Sequence, residues 1–387
     1  MNDTVRQFRD FFVSLKLTVV LLALSLVLVF AATLDQVNLG VWAVQEKYFR
    51  SIFVLWPVGD IPVPVFPGGY LIGGFLLVNL VAAHLYRFQF TWRKTGIQLA
   101  HFGLILLLVG ELLTGLWQED YQMRLTEGES KNYSESYRRN ELAIIETTDP
   151  KIDDVVAIPE ALLARGDAIQ QPPLPFRVVV KAYYPNAVLQ LRSGTPGAAP
   201  SPATQGVGPK LVAIPVPLTY KQDEQNWPVA FVELVGAEGP IGTWLVSAQL
   251  AASQTVAYAG RTWRIGLRAE RAYKPFALTL LKTRHDVYLG TDIPKNFSSR
   301  VRLTTPDGRE DREVLIYMNN PLRYAGLTFY QYQMDSEHAT SVLQVVRNPS
   351  WLIPYVSCAL ISFGLLFQFA LHLAGFVTKR RGRAQTA

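Results

Sequence analysis

Two apolar runs, Tyr70–Tyr86 and Ile97–Trp117, flank a short basic turn carrying Arg87, Arg93 and Lys94. As helices, each is long enough to cross a bilayer, since about 20 apolar residues match a hydrocarbon core of about 30 Å. The pair is predicted to form a transmembrane hairpin, and the Lys/Arg bias puts its turn in the cytoplasm. A histidine lies just inside the apolar zone on each side of that turn, His84 before it and His101 after it. An ionisable side chain at that depth is costly unless it faces protein or water, so both are candidates for function.

The chain has 387 residues, is 49% hydrophobic and carries a net charge of +6. A basic balance can signal nucleic acid, but here the charge sits beside apolar runs: Arg6, Arg9 and Lys16, then Arg87 to Lys94, then Lys379 to Arg383. That is the positive-inside pattern of a membrane protein and not a nucleic-acid face. Cys358 is the single cysteine. One thiol excludes an internal disulfide, a CxxC redox pair and a CxxCH haem attachment site.

The expected architecture is a membrane protein with four transmembrane α-helices and a large β-rich extracytoplasmic domain between helices three and four. Residues 1–117 form the N-terminal membrane part, with helices at about 11–33, 69–87 and 97–117. The uncharged run Leu17–Leu34 exceeds the about 7–15 apolar residues of a cleavable leader, so it is expected to be retained as an anchor. The segment 35–68 is rich in aromatics, and Pro57, Pro62, Pro64 and Pro67 argue against one long helix there. The β-rich domain covers 118–350, the fourth helix 351–377, and a basic cytoplasmic tail 378–387. Both termini then lie inside.

Within 118–350, strands are expected at Phe176–Ala182, Leu211–Pro217, Val229–Val235, Thr262–Arg268, Val301–Thr304, Val314–Met318, Leu327–Gln333 and Val342–Val346. Asp307-Gly308 reads as a two-residue hairpin turn. Pro159–Arg165 is the best short helix, and Ser193–Lys210 reads as a mobile loop. An antiparallel sandwich or barrel-like domain follows.

Of the five histidines, His285 and His338 lie in the β-rich part, and His84, His101 and His372 lie in or beside helices, toward their cytoplasmic ends. Imidazole is the usual axial ligand for haem iron in a helical bundle. Two of these on different helices would grip a porphyrin from opposite faces. The bland alternative is a ring snorkelling to the headgroups or bonded to a neighbouring helix. Asn79 reads as an interhelical hydrogen bond. Gly73, Gly74, Gly103 and Gly110 suit close helix packing and a flat ligand equally. Glu111 falls on the stripe His101, Leu104, Leu108, Glu111, Gly115, either as a proton or ion route or as a carboxyl near the outer interface. No Ser/His/Asp grouping, paired acids, phosphate loop or HExxH occurs, so hydrolytic catalysis has no support.

Several segments resemble the ResB (CcsB) family of system II cytochrome c biogenesis. They are Phe11-Phe12-Val13-Ser14-Leu15-Lys16-Leu17, Leu99-Ala100-His101-Phe102-Gly103-Leu104, and Lys295-Asn296-Phe297-Ser298-Ser299. Further along, Met318-Asn319-Asn320-Pro321-Leu322-Arg323-Tyr324-Ala325-Gly326 runs into Phe329-Tyr330-Gln331, and Ser341–Pro349 closes the set. The resemblance implies a haem-transporting, haem-binding subunit of a cytochrome c synthase in the bacterial inner membrane, its large domain periplasmic. It implies a CcsA (ResC)-type membrane partner, apocytochrome c as client, and haem b as the group bound and carried. Family members are thought to supply one histidine to the haem iron. His84 matches that position best, His101 is the runner-up, and His372 is a further candidate. The tryptophan-rich haem-presenting motif belongs to the partner, so thioether formation by this chain alone is not expected. Two alternatives stay open: a b-type cytochrome subunit of an electron-transfer complex, with His84 and His101 or His372 as paired ligands, and a non-enzymatic anchor with a protein-binding outer domain.

Overall fold

The computed structural model describes residues 3–385 apart from 60, 88–90, 150–151, 196, 198, 220–223, 291–293 and 336–338, so His338 lies outside the described residues. The chain opens with helices α1 (Asp3–Phe12) and α2 (Leu15–Val44), a π-turn at Gln45–Phe49, and a hairpin of β1 (Phe53–Val58) and β2 (Ile61–Pro67). Helices α3 (Gly69–Arg87) and α4 (Thr95–Trp117) come next. Then follow β3 (Glu119–Thr126), β4 (Ser130–Glu146), β5 (Asp154–Pro159), helix α5 (Glu160–Arg165), β6 (Ala168–Ile169), β7 (Arg177–Tyr184) and β8 (Ala187–Leu191). Next are β9 (Leu211–Pro215), β10 (Val229–Gly236), β11 (Gly239–Ser247), β12 (Gln254–Tyr258) and β13 (Arg261–Val287). The last strands are β14 (Pro294–Thr304), β15 (Asp311–Tyr317), β16 (Leu322–Tyr324), β17 (Leu327–Asp335) and β18 (Thr340–Arg347), and α6 (Ile353–Gln385) closes the chain. Two units result among the described residues, one within 3–119 and 348–385, the other within 120–219 and 224–347.

In the helical unit, four helices are long and apolar enough to cross a membrane: Leu15–Val41, Gly69–Arg87, Trp92–Trp117 and Ile353–Arg380. The first differs from the simple helix expected at 11–33. It breaks at Val13-Ser14, and Ser14 Oγ accepts from the Lys16 amide at 3.2 Å at the start of α2. Asn79, 2% exposed, holds the break from α3. Its Nδ2 donates to Phe12 O at 2.6 Å and Ser14 O at 3.2 Å, while the Thr18 hydroxyl donates to its Oδ1 at 2.6 Å. The interhelical role expected of Asn79 is what the structure shows, and two of its partners, Phe12 and Ser14, lie in the Phe11–Leu17 motif. Beyond residue 33 helical structure runs on to Val44 with a kink at Gly40, whose φ of 78° leaves the helical region, and the prolines of the following segment fall in β1 and β2. A two-stranded ribbon has only edges, where proline's missing amide costs no ladder bond.

Helices α4 and α6 pack at backbone distance because glycines recur every seventh residue on α4. A Cβ on Gly96 would lie 2.5 Å from Gly364 O, one on Gly103 would lie 2.9 Å from Ser357 O, and one on Gly110 would lie 2.5 Å from Ile353 Cγ2. Gly364 answers from α6, where a Cβ would lie 2.6 Å from Gly96 O. Side-chain removal permits close van der Waals packing, the main attraction between helices in lipid.

In the β-rich unit, β13 and β4 are two long antiparallel strands that serve two cores. At one end they are flanked by β12 and β5 and face the sheet β11-β10-β7-β6. Trp263, Ile265 and Leu267 alternate along β13 into this sandwich, meeting Leu142 and Ile144 of β4 and Val178, Val232, Leu234 and Val246 opposite. At the other end the sheet runs β15-β14-β13-β4-β3-β18-β17-β16, and a tight turn at Tyr317–Asn320 connects its two edge strands in sequence. Leu278, Leu280, Val301, Leu303, Ile316, Phe329, Leu343 and Val345 fill that second core. Period-2 alternation puts these residues on the inner face, and each fully buried aliphatic contributes roughly 1.5–3 kcal/mol. The unit is therefore both sandwich and barrel-like.

The passage between the two cores is a bulge. Register slips between Tyr273 and Leu278 on β13, and Pro275 sits in the slip, where a strand tolerates a residue without an amide proton. Inside the barrel, motif residues far apart in sequence share one polar cluster. Ser299 Oγ donates to Gln331 Oε1 at 2.6 Å and is 2.8 Å from Ser341 Oγ. Two local expectations are corrected. The β14–β15 connection spans six residues, since Thr304 pairs with Asp311, and it closes with Thr305 N donating to Glu310 O at 3.0 Å. The 193–210 stretch is built onto the fold and is not a free loop: Arg192 donates to Ala199 O and Pro209 O, Thr204 N donates to Thr243 O, and Ala203 is buried.

Candidate functional site

Helices α3 and α4 run antiparallel through the turn Trp92–Lys94, which brings the end of one beside the start of the other. His84 lies three residues before the end of α3, about 4.5 Å along the axis. His101 lies six residues past the start of α4, about 9 Å along it. Both rings are half-buried, His84 Nδ1 is shut off from solvent, and the two imidazoles are near enough to feel one another's charge.

His101 Nδ1 is 2.7 Å from the carbonyl of Ile97, one turn back. A carbonyl only accepts, so Nδ1 carries the proton and the neutral ring has its lone pair on Nε2. Metal-binding histidines are commonly oriented this way, with one N–H given to a carbonyl and the other nitrogen presented. The residues fit a haem iron at this point.

His372 stands apart. Gln368 Nε2 is 3.2 Å from Arg93 O and 3.0 Å from His372 Nε2, so the amide donates to both and occupies the His372 Nε2 lone pair. This contact ties α6 to the turn through His372. His285, in the other unit, stacks on Phe297 with centroids 4.6 Å apart. Among the described residues, no group of three or more His, Cys, Asp or Glu side chains could hold a bare metal ion.

The glycines that the sequence could not sort fall into two sets. Gly103 and Gly110, with Gly96, are filled by α6. At Gly73 and Gly74 of α3 a Cβ would meet nothing within 4 Å. Those two line a cleft of about 590 Å³ together with Leu108, Glu111 and Gly115 of α4. Glu111 therefore faces a separate space about 15 Å along α4 from His101, ten residues at 1.5 Å each. Gln45 and Tyr70, which sequence reasoning passed over, also line it. Neither has a periodic or motif signal that would have marked it.

The sequence pattern of the ResB-like family matches residues 229–342, from β10 into β18. Over this segment the chain is similar to the ResB-like family. A relative, Protein NrfI of Wolinella succinogenes, is 31% identical over 111 residues, which cover 27% of this chain and 12% of NrfI. The chain therefore spans only a small part of that relative's length. The ResB-like match contains all of β13, its bulge, and the Ser299–Gln331–Ser341 cluster up to Ser341.

Proposed function

We propose that this ResB-like membrane protein is a subunit of the system II cytochrome c synthase that carries haem across the bacterial inner membrane, together with a CcsA/ResC-type partner, and helps deliver it to apocytochrome c. The single observation that supports it most is the placement of His84 and His101 at the turn end of α3 and α4, on either side of that turn. The basic residues Arg87, Arg93 and Lys94 place that end in the cytoplasm by the positive-inside rule. Haem, the cargo, enters there and is gripped by His84, with the opposite axial ligand from the partner. His101, oriented by Ile97, stands by as the second imidazole of this chain. With the turn inside, the β-rich unit lies in the periplasm, where it docks apocytochrome or shapes the partner's outer site. Thioether formation is assigned to the complex and not to this chain alone.

The test uses the chain co-expressed with its CcsA-type partner. His84→Ala is expected to lower co-purified haem while membrane insertion stays intact, and imidazole added to His84→Gly is expected to restore it. Unchanged haem in His84→Ala removes this residue from the site. The proximity of the two imidazoles favours a second reading, a b-type cytochrome with His84 and His101 as paired ligands. Stoichiometric, reversibly reducible haem in the chain without its partner would select it.

A further inference from the structure

The cleft beside Glu111 lies in the half of the α3–α4 hairpin away from the two histidines. Its walls are glycine and leucine: Gly73, Gly74 and Leu77 on α3, and Leu108, Leu112 and Gly115 on α4. Glycines on both sides make a slot that a ring enters, since no Cβ stands in the way at Gly73 or Gly74, and at Gly115 the nearest atom is the Tyr70 hydroxyl at 3.5 Å. A volume of about 590 Å³ is in the range of small-molecule sites, roughly 300–1,000 Å³.

Two acceptors in the slot, on Gln45 and Glu111, have no partner among the described residues. Gln45 Oε1 is buried and has no hydrogen-bond partner among the described residues. Glu111, an acid within a membrane-spanning helix, makes no hydrogen bond or ion pair among the described residues. The one cation, Arg50, is engaged by Glu46 at 3.0 Å. A flat ring bearing hydroxyl donors on an apolar tail answers each feature: the ring lies between the glycines, the hydroxyls donate to Gln45 and Glu111, and the tail stays in lipid.

We propose that the α3–α4 cleft binds a lipid-soluble hydroquinone, with Gln45 and Glu111 accepting its hydroxyl protons. The proposal concerns binding and is independent of the haem reading, since neither histidine lines the cleft.

The test uses the full chain in phosphatidylcholine nanodiscs, kept anaerobic, with decylubiquinol as probe. Saturable one-to-one binding is expected. Its di-O-methyl ether, which keeps the ring and tail but lacks donors, is expected to bind at least about fivefold more weakly, the loss that one unmade hydrogen bond of about 1 kcal/mol entails. Gln45→Leu and Glu111→Leu should each weaken decylubiquinol by a similar factor and leave the ether unaffected. Gly73→Leu should abolish binding of both, and a photoreactive azidoquinone should lose its label on the peptides of α3 and α4. Equal affinity for quinol and ether would mean that the slot takes only apolar chains, and would overturn the proposal. So would unchanged binding in Gly73→Leu, or stoichiometric displacement by zinc mesoporphyrin. Should Gly73→Leu fail to give a monodisperse protein, the Gln45→Leu comparison decides alone.

Discussion

Lys274 lies in the bulge of β13, 9% exposed, and among the described residues no carboxylate stands against its ammonium. Its Nζ donates to Ser134 Oγ at 2.5 Å and to Ala272 O at 2.9 Å. Burial pulls this amine from the ordinary 10.5 down to about 8. Each pKa unit is worth about 1.36 kcal/mol, so 2.5 units set an upper bound of about 3.4 kcal/mol on the cost of the charged form in the fold. Relaxation and the two hydrogen bonds reduce the net to about 2 kcal/mol. The sign follows from proton counting. Below pH 8 both states hold the proton and the fold bears the whole cost. Between pH 8 and 10.5 the unfolded chain holds more protons than the folded one, so stability rises with pH. Lys274→Met keeps the length without the charge. The variant should be more stable at pH 7 by about 1–2 kcal/mol, because the burial cost removed exceeds the two hydrogen bonds lost. The difference, variant minus parent, should fall through zero as pH climbs from 8 to 10.5. Denaturant unfolding of the full chain in detergent, followed by β-sheet circular dichroism, measures it, and taking the difference cancels other titrating groups. A difference that stays flat across this window would refute the reasoning, whatever its sign at pH 7.

Gly103→Ala puts a Cβ 2.9 Å from a backbone oxygen and should cost about 1–3 kcal/mol by overpacking α4 against α6. Gly73→Ala meets open space and should be neutral or stabilising by up to about 1 kcal/mol, and unfolding in mixed micelles compares the pair. In the barrel, Ser299→Ala strips Gln331 and Ser341 of a shared partner and should cost about 1–3 kcal/mol. Thermal melts should show Ser299→Ala and Ser341→Ala adding to less than their sum, as coupled sites do.

Hydropathy made the four helices legible, because a bilayer-length apolar run has few other ways to be satisfied. Period-2 alternation did the same for β7, β9, β10, β14, β15, β17 and β18, each of which overlaps the stretch expected. The full length of β13 was hidden by Pro275, which reads as a strand breaker unless a bulge is known to receive it. β4 was missed because Ser130–Asn140 is polar, its barrel half contributing Ser134 and Ser136 to the interior where aliphatics were sought. The kink at Val13-Ser14 depends on Asn79, about sixty residues away, so no local window could show it.

The residues alone determined where lipid-compatible helices lie, that β-structure fills the long interval between the third and fourth, and that His84 and His101 flank the turn between the second and third. Those inferences rest on local quantities, run length, alternation and charge bias, which each segment carries by itself. Tertiary structure alone decided which glycines are filled and which stand open, that His372 is held by Gln368 while His101 is turned by Ile97, and that Gln45 joins Glu111 in one cleft. Each of these depends on what a second helix or turn places opposite a side chain, and close packing of that kind leaves no periodic trace in the chain that carries it.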